Sequence, residues 1–180
     1  MNSNHSDITT KLILHNYKHF FPYKSYSKGD FILQESNEVE NIYFISSGLV
    51  KLSYIDDQAK ESILSFAFEN WWETDFSAFY NQERTKLYLQ CIEDTEVYCL
   101  SYEHYHKLIE EENLANYFLD KAIKGHITSQ KRIFSLLTHD PKQLYEQFLK
   151  DYPSLLQRIP KSTLALYLGV SRETLSRLHK

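Results

Sequence analysis

The feature of the sequence that most restricts the fold is a change of periodicity near Leu100. Upstream, from Tyr23 onward, short apolar and polar runs alternate and are separated by turn residues, which is typical of antiparallel strands. Downstream, apolar residues recur every three or four positions, which is typical of helices. We therefore expect an α+β protein whose strands come first and whose helices come second.

The strand-rich part is predicted to form a small antiparallel barrel or jelly roll. Its predicted strands are residues 31–33, 41–46, 49–55, 61–68, 87–92 and 96–100. The pair Ser47-Gly48 predicts a hairpin between two of these strands, and Asp56–Gln58 predict the next turn. A short helix over residues 12–21, closed by Pro22, is expected to precede the barrel.

Three helical stretches are predicted between the barrel and the last twenty residues. Ser101 is a plausible N-cap for the first, and Asp140-Pro141 begin the third, which runs through Leu149. The second covers residues 114–137 and would be about 36 Å long. In a protein of this size, such a helix usually spans domains or pairs with a partner.

The strongest local pattern lies at the end of the chain, in IPKSTLALYLGVSRETLSRLHK. A short helix begins near Ser162-Thr163, Gly169 ends it, and Ser171 is the expected N-cap of a second helix over residues 172–179. Two short helices joined by a tight turn that contains glycine indicate a helix-turn-helix. Its exposed face would carry Arg172, Glu173, Ser176 and Arg177, and arginine can read guanine while glutamate can read cytosine.

The distribution of charge agrees with an anionic partner. The net charge is −4, yet residues 158–180 contain five basic residues and one acid, so the rest of the chain is acidic. The basic residues are Arg158, Lys161, Arg172, Arg177 and Lys180. Lysine or arginine near helix ends can also reflect the helix dipole, so charge alone leaves both readings open.

Other sequence features set the expected compartment and exclude several classes of protein. A hydrophobic fraction of 42% excludes a mainly disordered chain, and no apolar run is long enough for a membrane span. The N-terminus lacks the pattern of a secretory signal, and Cys91 and Cys99 have no CxxC spacing. We expect a cytoplasmic protein that contacts no membrane, with both cysteines buried.

The segment GVSRETLSRL closely resembles the recognition element of the Crp/Fnr family of bacterial transcription regulators. YSKGDFILQESNEVENIYFISSGLVKLSY resembles the first half of the sensor barrel of that family, and EDTEVYCLSYEHYHKLI resembles its last strand and exit helix. The resemblance implies a double-stranded β-helix (jelly-roll-like) sensor barrel over residues 1–111 and a dimerisation helix over 112–138. An all-α helix-turn-helix domain is expected over 139–180.

The resemblance also implies which residues meet DNA. Arg172, Glu173 and Arg177 fall on the base-reading positions of the family and Ser171 on a backbone-contacting one, with Ser176, Lys161 and Lys180 as further contacts. Double-stranded DNA, a second copy of the chain and RNA polymerase are the implied partners. Most members continue into a β-hairpin wing, whereas this sequence stops at Lys180, so fewer phosphate contacts are expected.

The sequence departs from the members of this family that bind cyclic nucleotides. Those members carry Gly-Glu for the ribose and Arg-Ser-Ala or Arg-Thr-Ala for the phosphate. Here Asp75 falls at the Glu position, Thr85-Lys86-Leu87 replaces the triplet, and Arg84 is one residue out of register. We expect cyclic AMP binding to be lost, with any other effector meeting Trp71, Trp72, Asp75, Phe76, Arg84 and Thr85.

The sequence leaves two alternatives to a DNA-binding regulator. One is a small-molecule-binding or protein-interaction barrel whose DNA-binding element has degenerated. The other is a metalloenzyme on the same type of barrel, but the predicted strands contain no histidine, and His104 and His106 point to different sides of a helix. Glu73 and Asp75 have no nucleophile beside them in the sequence and are expected in a solvated loop. No enzymatic activity, metal or cofactor is expected.

Overall fold

The computed structural model of the protein describes residues 3–110, 112 and 114–178. The helices are Ser3–Asn16 (α1), Phe76–Asn81 (α2), Tyr102–Glu110 (α3), Ala115–Thr138 (α4), Pro141–Asp151 (α5), Lys161–Leu168 (α6) and Arg172–Leu178 (α7). The strands are Tyr23–Tyr26 (β1), Phe31–Leu33 (β2), Asn41–Ser47 (β3), Leu49–Ile55 (β4), Glu61–Phe68 (β5), Trp72–Glu73 (β6), Tyr88–Cys91 (β7) and Thr95–Ser101 (β8). The strands precede the long helices, so the predicted α+β order is confirmed.

The strands form two four-stranded antiparallel sheets that face each other as a jelly roll. One sheet has the order β1-β8-β3-β6 and the other has the order β2-β7-β4-β5. The predicted turn at Asp56–Gln58 is confirmed, because β4 and β5 pair along their whole length on either side of it. The predicted jelly-roll-like barrel is therefore the observed architecture.

The predicted hairpin at Ser47-Gly48 is wrong, because β3 and β4 lie in different sheets. Gly48 has a φ of 102°, and a Cβ atom there would lie 2.5 Å from Oγ1 of Thr95. This backbone conformation carries the chain from one sheet to the other at a point where only glycine fits. Alternation of apolar residues predicts strands, but it does not tell which sheet each strand joins.

The first helix also differs from its prediction. It was expected over residues 12–21, whereas α1 ends at Asn16 and a short 3₁₀ turn covers Lys18–Phe20. Its first residues are polar, so apolar periodicity could not indicate where it begins. The long helix is confirmed, with α4 ending one residue beyond the predicted limit at Leu137.

Two hydrophobic clusters hold the chain together. The first fills the barrel, where Ile45, Leu89 and Val97 are fully buried, and continues under α1 and α4. Cys91 and Cys99 belong to it as free buried thiols, as expected, and burial raises the pKa of both. In the second cluster the barrel residues Leu49, Ile63 and Ile92 contact side chains of α5, α6 and α7. The C-terminal helices are therefore docked on the outside of the barrel.

Candidate nucleic-acid interface and sensor barrel

The turn between α6 and α7 is built around Gly169. This residue has a φ of 68°, in the left-handed region that favours glycine, and its N–H donates to the carbonyls of α6. The N–H of Val170 donates to the carbonyl of Ala165 at 3.0 Å, which closes the last turn of the helix. The predicted end of this helix at glycine is confirmed, although α6 begins at Lys161 rather than at Ser162.

The start of α7 is capped by Ser171, as predicted. Its Oγ accepts from the backbone N–H of Thr174 at 3.1 Å and lies 3.0 Å from the hydroxyl oxygen of that residue. Leu175 faces inward and is only 2% exposed, in contact with the cluster that also holds Leu164 and Leu168. The inward face of α7 thus fixes the rotation of the helix about its axis.

The outward face of α7 presents polar side chains to solvent. Arg172, Glu173, Ser176 and Arg177 are all exposed. Hydrogen bonding to its own backbone N–H, at the start of the helix, lowers the pKa of Glu173. This face exposes two guanidinium groups, one carboxylate and one hydroxyl, and Nη2 of Arg177 makes only a long contact of 3.4 Å with Oγ1 of Thr174.

The remaining basic residues of the C-terminal segment have different surroundings. Lys161 is exposed at the start of α6. Lys180 lies outside the described residues. Arg158 does not add to the basic surface, because its guanidinium is paired with Glu69 and Glu93 of the barrel. That pairing could not be predicted, since it joins residues 65 and 89 positions apart.

The long helix α4 has an apolar stripe on its exposed side. Residues advance about 100° each around an α-helix, so Leu119, Ile123 and Ile127 fall within roughly a quarter turn. Two further members of the stripe, Phe134 and Leu137, are 62% and 80% exposed. An apolar stripe of this length on one exposed helix indicates an interface with another protein surface.

The six residues predicted to meet an effector do not share one environment. Trp72 is buried against Phe44 and Phe118, and its Nε1 donates to Tyr117. Trp71 is partly buried in the same cluster, whereas Phe76 and Arg84 are exposed. The guanidinium of Arg84 pairs with Glu38 at 3.4 Å, also on the surface.

The other two residues of that set are bonded to each other. One carboxylate oxygen of Asp75 accepts from the hydroxyl of Thr85 at 2.7 Å, and the other accepts from the N–H of Ala78 at the start of α2. Both oxygens of Asp75 are therefore engaged within the chain. The groove and the smaller cavity at Arg132, described below, are lined by other residues. Effector contacts by these six side chains stay a prediction.

The expectation that Glu73 and Asp75 lie in a solvated loop is wrong. Glu73 is 5% exposed on the short strand β6, and Asp75 is 8% exposed. Oε2 of Glu73 accepts from Ser65 at 2.8 Å, and Oε1 accepts from the N–H of Thr74. Burial raises the pKa of Glu73 to about 7. Neighbouring polar residues concealed this burial in the sequence.

A comparison with protein-family models matches residues 23–112 to the cyclic nucleotide-binding domain. The chain belongs to this family. The matched span begins at the first residue of β1 and continues just beyond α3, so it covers both sheets of the barrel and the exit helix. A comparison of the chain with curated protein sequences finds no match.

Solved structures of bacterial regulators share the fold of this chain. CLP of Xanthomonas campestris, described as a c-di-GMP responsive global regulator, has a TM-score of 0.76 at 15% identity, covering 93% of this chain and 89% of that one. FixK2 of Bradyrhizobium japonicum has a TM-score of 0.77 at 17% identity, covering 88% and 82%.

A third structure carries the family name that the sequence suggested. It comes from Eubacterium rectale and is described as a transcriptional regulator of the Crp/Fnr family, with a TM-score of 0.68 at 18% identity, covering 99% of this chain and 82% of that one. The resemblance to the Crp/Fnr fold is thereby confirmed from the barrel through the C-terminal helices. No helix in the described parts of the chain combines the length and apolarity needed to cross a membrane.

Proposed function

We propose that the protein is a dimeric, sequence-specific DNA-binding transcription regulator of the Crp/Fnr type. The observation that carries this proposal is the exposed face of α7, which holds Arg172, Glu173, Ser176 and Arg177 on a helix anchored by buried Leu175. Arginine makes two hydrogen bonds to the major-groove edge of guanine, and glutamate accepts from cytosine. These groups suit base reading once α7 lies in the major groove.

Pairing of two copies along α4 supplies the symmetry that such a regulator needs. The apolar stripe from Leu119 to Leu137 is exposed to solvent. Two protomers joined along it would set their recognition helices about 34 Å apart, which is one turn of DNA. The operator is then expected to be a pseudo-palindrome.

The sensor barrel is proposed to have no affinity for cyclic AMP. Asp75 stands where the nucleotide-binding members carry the ribose-binding glutamate, and its two carboxylate oxygens already accept from Thr85 and Ala78. Arg84 is directed to Glu38 on the surface rather than to a phosphate site. Calorimetric titration with cyclic AMP should give no heat of binding, and saturable binding would contradict this part of the proposal.

Selection of double-stranded sites from a random DNA pool tests DNA recognition directly. The wild type and Arg172→Ala/Arg177→Ala are run in parallel at two salt concentrations without added ligand. The matched control is Lys28→Ala/Lys60→Ala, which removes the same charge from exposed positions on the barrel. We expect the wild type and the control to enrich one palindromic motif that the α7 variant loses.

Failure to enrich a motif would contradict ligand-independent sequence-specific binding. Binding that depends on salt alone and is equal in the wild type and the α7 variant would favour the second candidate. That candidate is a small-molecule-binding or protein-interaction barrel with a degenerate DNA-binding element.

A further inference from the structure

An open groove separates the second half of α4 from α5 and α6. It has a volume of about 740 Å³ and reaches Arg132 on α4, Lys150 on α5 and Tyr167 on α6. A smaller cavity next to it extends from Arg132 to Ser65 and Phe66 of strand β5. Arg132 therefore lies where the long helix, the C-terminal helices and the barrel meet.

The guanidinium of Arg132 is held in place by neutral groups only. Its Nη2 donates to the carbonyl of Ile63 at 2.8 Å and to the carbonyl of Tyr167 at 3.0 Å. Its central carbon lies 3.5 Å from the centroid of the Tyr167 ring, which is a cation–π contact. Among the described residues, the Tyr167 side chain is a further hydrogen-bonding neighbour of the guanidinium. Arginine has five N–H donors and the two carbonyls take those of Nη2, so N–H groups of Nη1 and Nε are left for another molecule.

No carboxylate among the described residues neutralises Arg132. Burial lowers its pKa, and the titratable groups beside it are the phenols of Tyr167 and Tyr152, whose own pKa values are raised by burial so that both stay neutral. Arginine nevertheless stays charged at any physiological pH, so the groove holds a fixed positive charge. A half-buried cation without a counterion has unused capacity for an anion.

Further residues at the groove increase its positive charge. Lys131 and Lys150 are exposed at its edge, and the acid of the groove, Asp151, accepts from Gln147. Three cations thus face one carboxylate. Apolar walls lie beside these charges and consist of Leu144, Phe148, Tyr152 and Phe134.

Dimerisation along α4 would leave this groove accessible. Thr128, Arg132 and Ser135, which line it, lie on the side of α4 opposite to the exposed apolar stripe, given about 100° of rotation per residue. A partner helix on the stripe and a ligand at Arg132 would use opposite sides of α4, and Phe134 at the boundary belongs to both the stripe and the groove wall.

We propose that this groove binds a small organic anion, with a carboxylate or phosphate on Arg132 and an apolar or aromatic body against Phe148 and Tyr152. Binding itself is independent of DNA recognition. Its regulatory consequence rests on the proposed function, because a ligand there would contact both α4 and the helices that carry α7. The effector would then act outside the barrel interior.

Calorimetric titration with phenyl phosphate at low salt tests the proposal, with phenol and inorganic phosphate as separate arms. We expect phenyl phosphate to bind at least about tenfold more tightly than either fragment, because it satisfies both the charge and the apolar wall. Arg132→Gln should weaken binding by about tenfold or more, since a hydrogen bond to a charged group is lost. Lys131→Gln/Lys150→Gln should weaken it about threefold to tenfold.

Lys142→Gln is the matched control, because Lys142 is an exposed lysine on the same helix as Lys150 but outside the groove. Circular dichroism verifies the fold of each variant. If Arg132→Gln does not fold, the affinity of Lys131→Gln/Lys150→Gln for phenyl phosphate tests the site instead. NMR shifts at the side-chain Nε–H of Arg132 and at the Tyr152 ring should follow the titration.

Phenyl phosphate that fails to bind the wild type, or binds equally to the folded groove variants, would overturn the proposal. Equal binding of inorganic phosphate and phenyl phosphate would also overturn it, because the apolar walls would then contribute nothing. The DNA selection above uses no ligand. Its outcome therefore tests the proposed function separately from the binding of an anion in the groove.

Discussion

The guanidinium of Arg158 donates through Nη1 and Nη2 to the two carboxylate oxygens of Glu69, at 2.9 Å each. The same guanidinium also bonds Glu93, with the shortest contact at 2.7 Å from Nη2. Because Arg158 precedes α6 while both acids belong to barrel loops, this pairing ties the C-terminal helices to the barrel. Planar two-point pairing of arginine with a carboxylate is geometrically specific, so the orientation of the two parts is constrained.

We expect Arg158→Met to lower the free energy of unfolding by about 1–2 kcal/mol, because charged hydrogen bonds are lost at a partly exposed site. Urea unfolding of the purified protein measures this change. Arg84→Met is the control, since Arg84 and Glu38 pair on the open surface with 68% and 71% exposure and should contribute less than about 0.5 kcal/mol. Equal effects of the two substitutions would argue against an anchoring role for Arg158.

Arg158→Met should also reduce the protection of one backbone N–H in the barrel against hydrogen exchange. Oε1 of Glu69 also accepts from the N–H of Gly48 at 3.0 Å. Without Arg158 the Glu69 carboxylate loses its fixed position, so hydrogen exchange at Gly48 should become faster. Unchanged protection of that amide in Arg158→Met would show that Glu69 is held by other contacts.

The buried carboxyl of Glu73 predicts that stability falls as the pH rises. Its pKa is raised to about 7 in the folded protein, against a model-peptide value of 4.5. Between these values the folded state retains a proton that the unfolded state has lost, so the free energy of unfolding decreases as pH rises from about 4.5 to about 7. Above about pH 7 the loss in the free energy of unfolding is complete and stays constant at about 3 kcal/mol, as an order of magnitude.

Glu73→Gln should remove this dependence, because an amide keeps the hydrogen-bonding oxygen and carries no charge. We expect the variant to be about 2–3 kcal/mol more stable than the wild type at pH 8 and nearly equal to it at pH 4.5. Urea titrations at the two pH values measure the difference. Glu83→Gln, at an exposed position, is the control and should leave the pH profile of the wild type unchanged.

DNA affinity should respond differently to residues on α7 and at the start of α6. Arg172→Ala should reduce the binding free energy by about 1–3 kcal/mol, and it should weaken the preference for one base at the position that Arg172 contacts. Lys161→Gln should weaken binding uniformly across sequences and reduce the salt slope by about one. Fluorescence anisotropy with the selected site and with single-base variants, over a salt series, separates these effects. A base-specific loss in Lys161→Gln would reverse the assignment of the two residues.

The exposed stripe of α4 predicts the oligomeric state. Ile123→Glu/Ile127→Glu places two carboxylates in the proposed contact and should convert a dimer into a folded monomer. Sedimentation equilibrium gives the mass, and circular dichroism verifies the fold. Lys142→Glu changes the net charge by the same amount on an exposed site of α5 and should stay dimeric. A wild type that is monomeric at micromolar concentration would contradict pairing along α4.

Much of the fold could be predicted from the sequence because the information was local. Ser171 caps α7 and Gly169 ends α6 through contacts within four residues, so their side-chain chemistry alone indicated both boundaries. The exposed face of α7 followed from the same helical period, since buried Leu175 fixes which residues point outward. The Crp/Fnr resemblance of the segment GVSRETLSRL rested on these local features.

The errors and omissions have a common cause in contacts between distant residues. Ser47-Gly48 looked like a hairpin, but the sheets that β3 and β4 join are chosen by strands elsewhere in the chain. The surroundings of Arg132 could not be predicted from the sequence, because its carbonyl partners at Ile63 and Tyr167 lie 69 and 35 residues away. A hint was available only in its helical face, which repeats through Thr128 and Ser135 opposite to the apolar stripe.

By itself the sequence determined six of the eight strands that the structure describes, the boundaries around the turn between α6 and α7 and the polar face of α7, because hydrophobic period and capping act over a few residues. The short elements β1, β6 and α2 were missed. Only the tertiary structure decided that Glu73 is buried, that Arg158 forms ion pairs with the barrel and that Arg132 lines a groove with no carboxylate paired to it. Burial and charge pairing depend on which distant segments meet, and that is settled only when the sheets close and the helices dock on them.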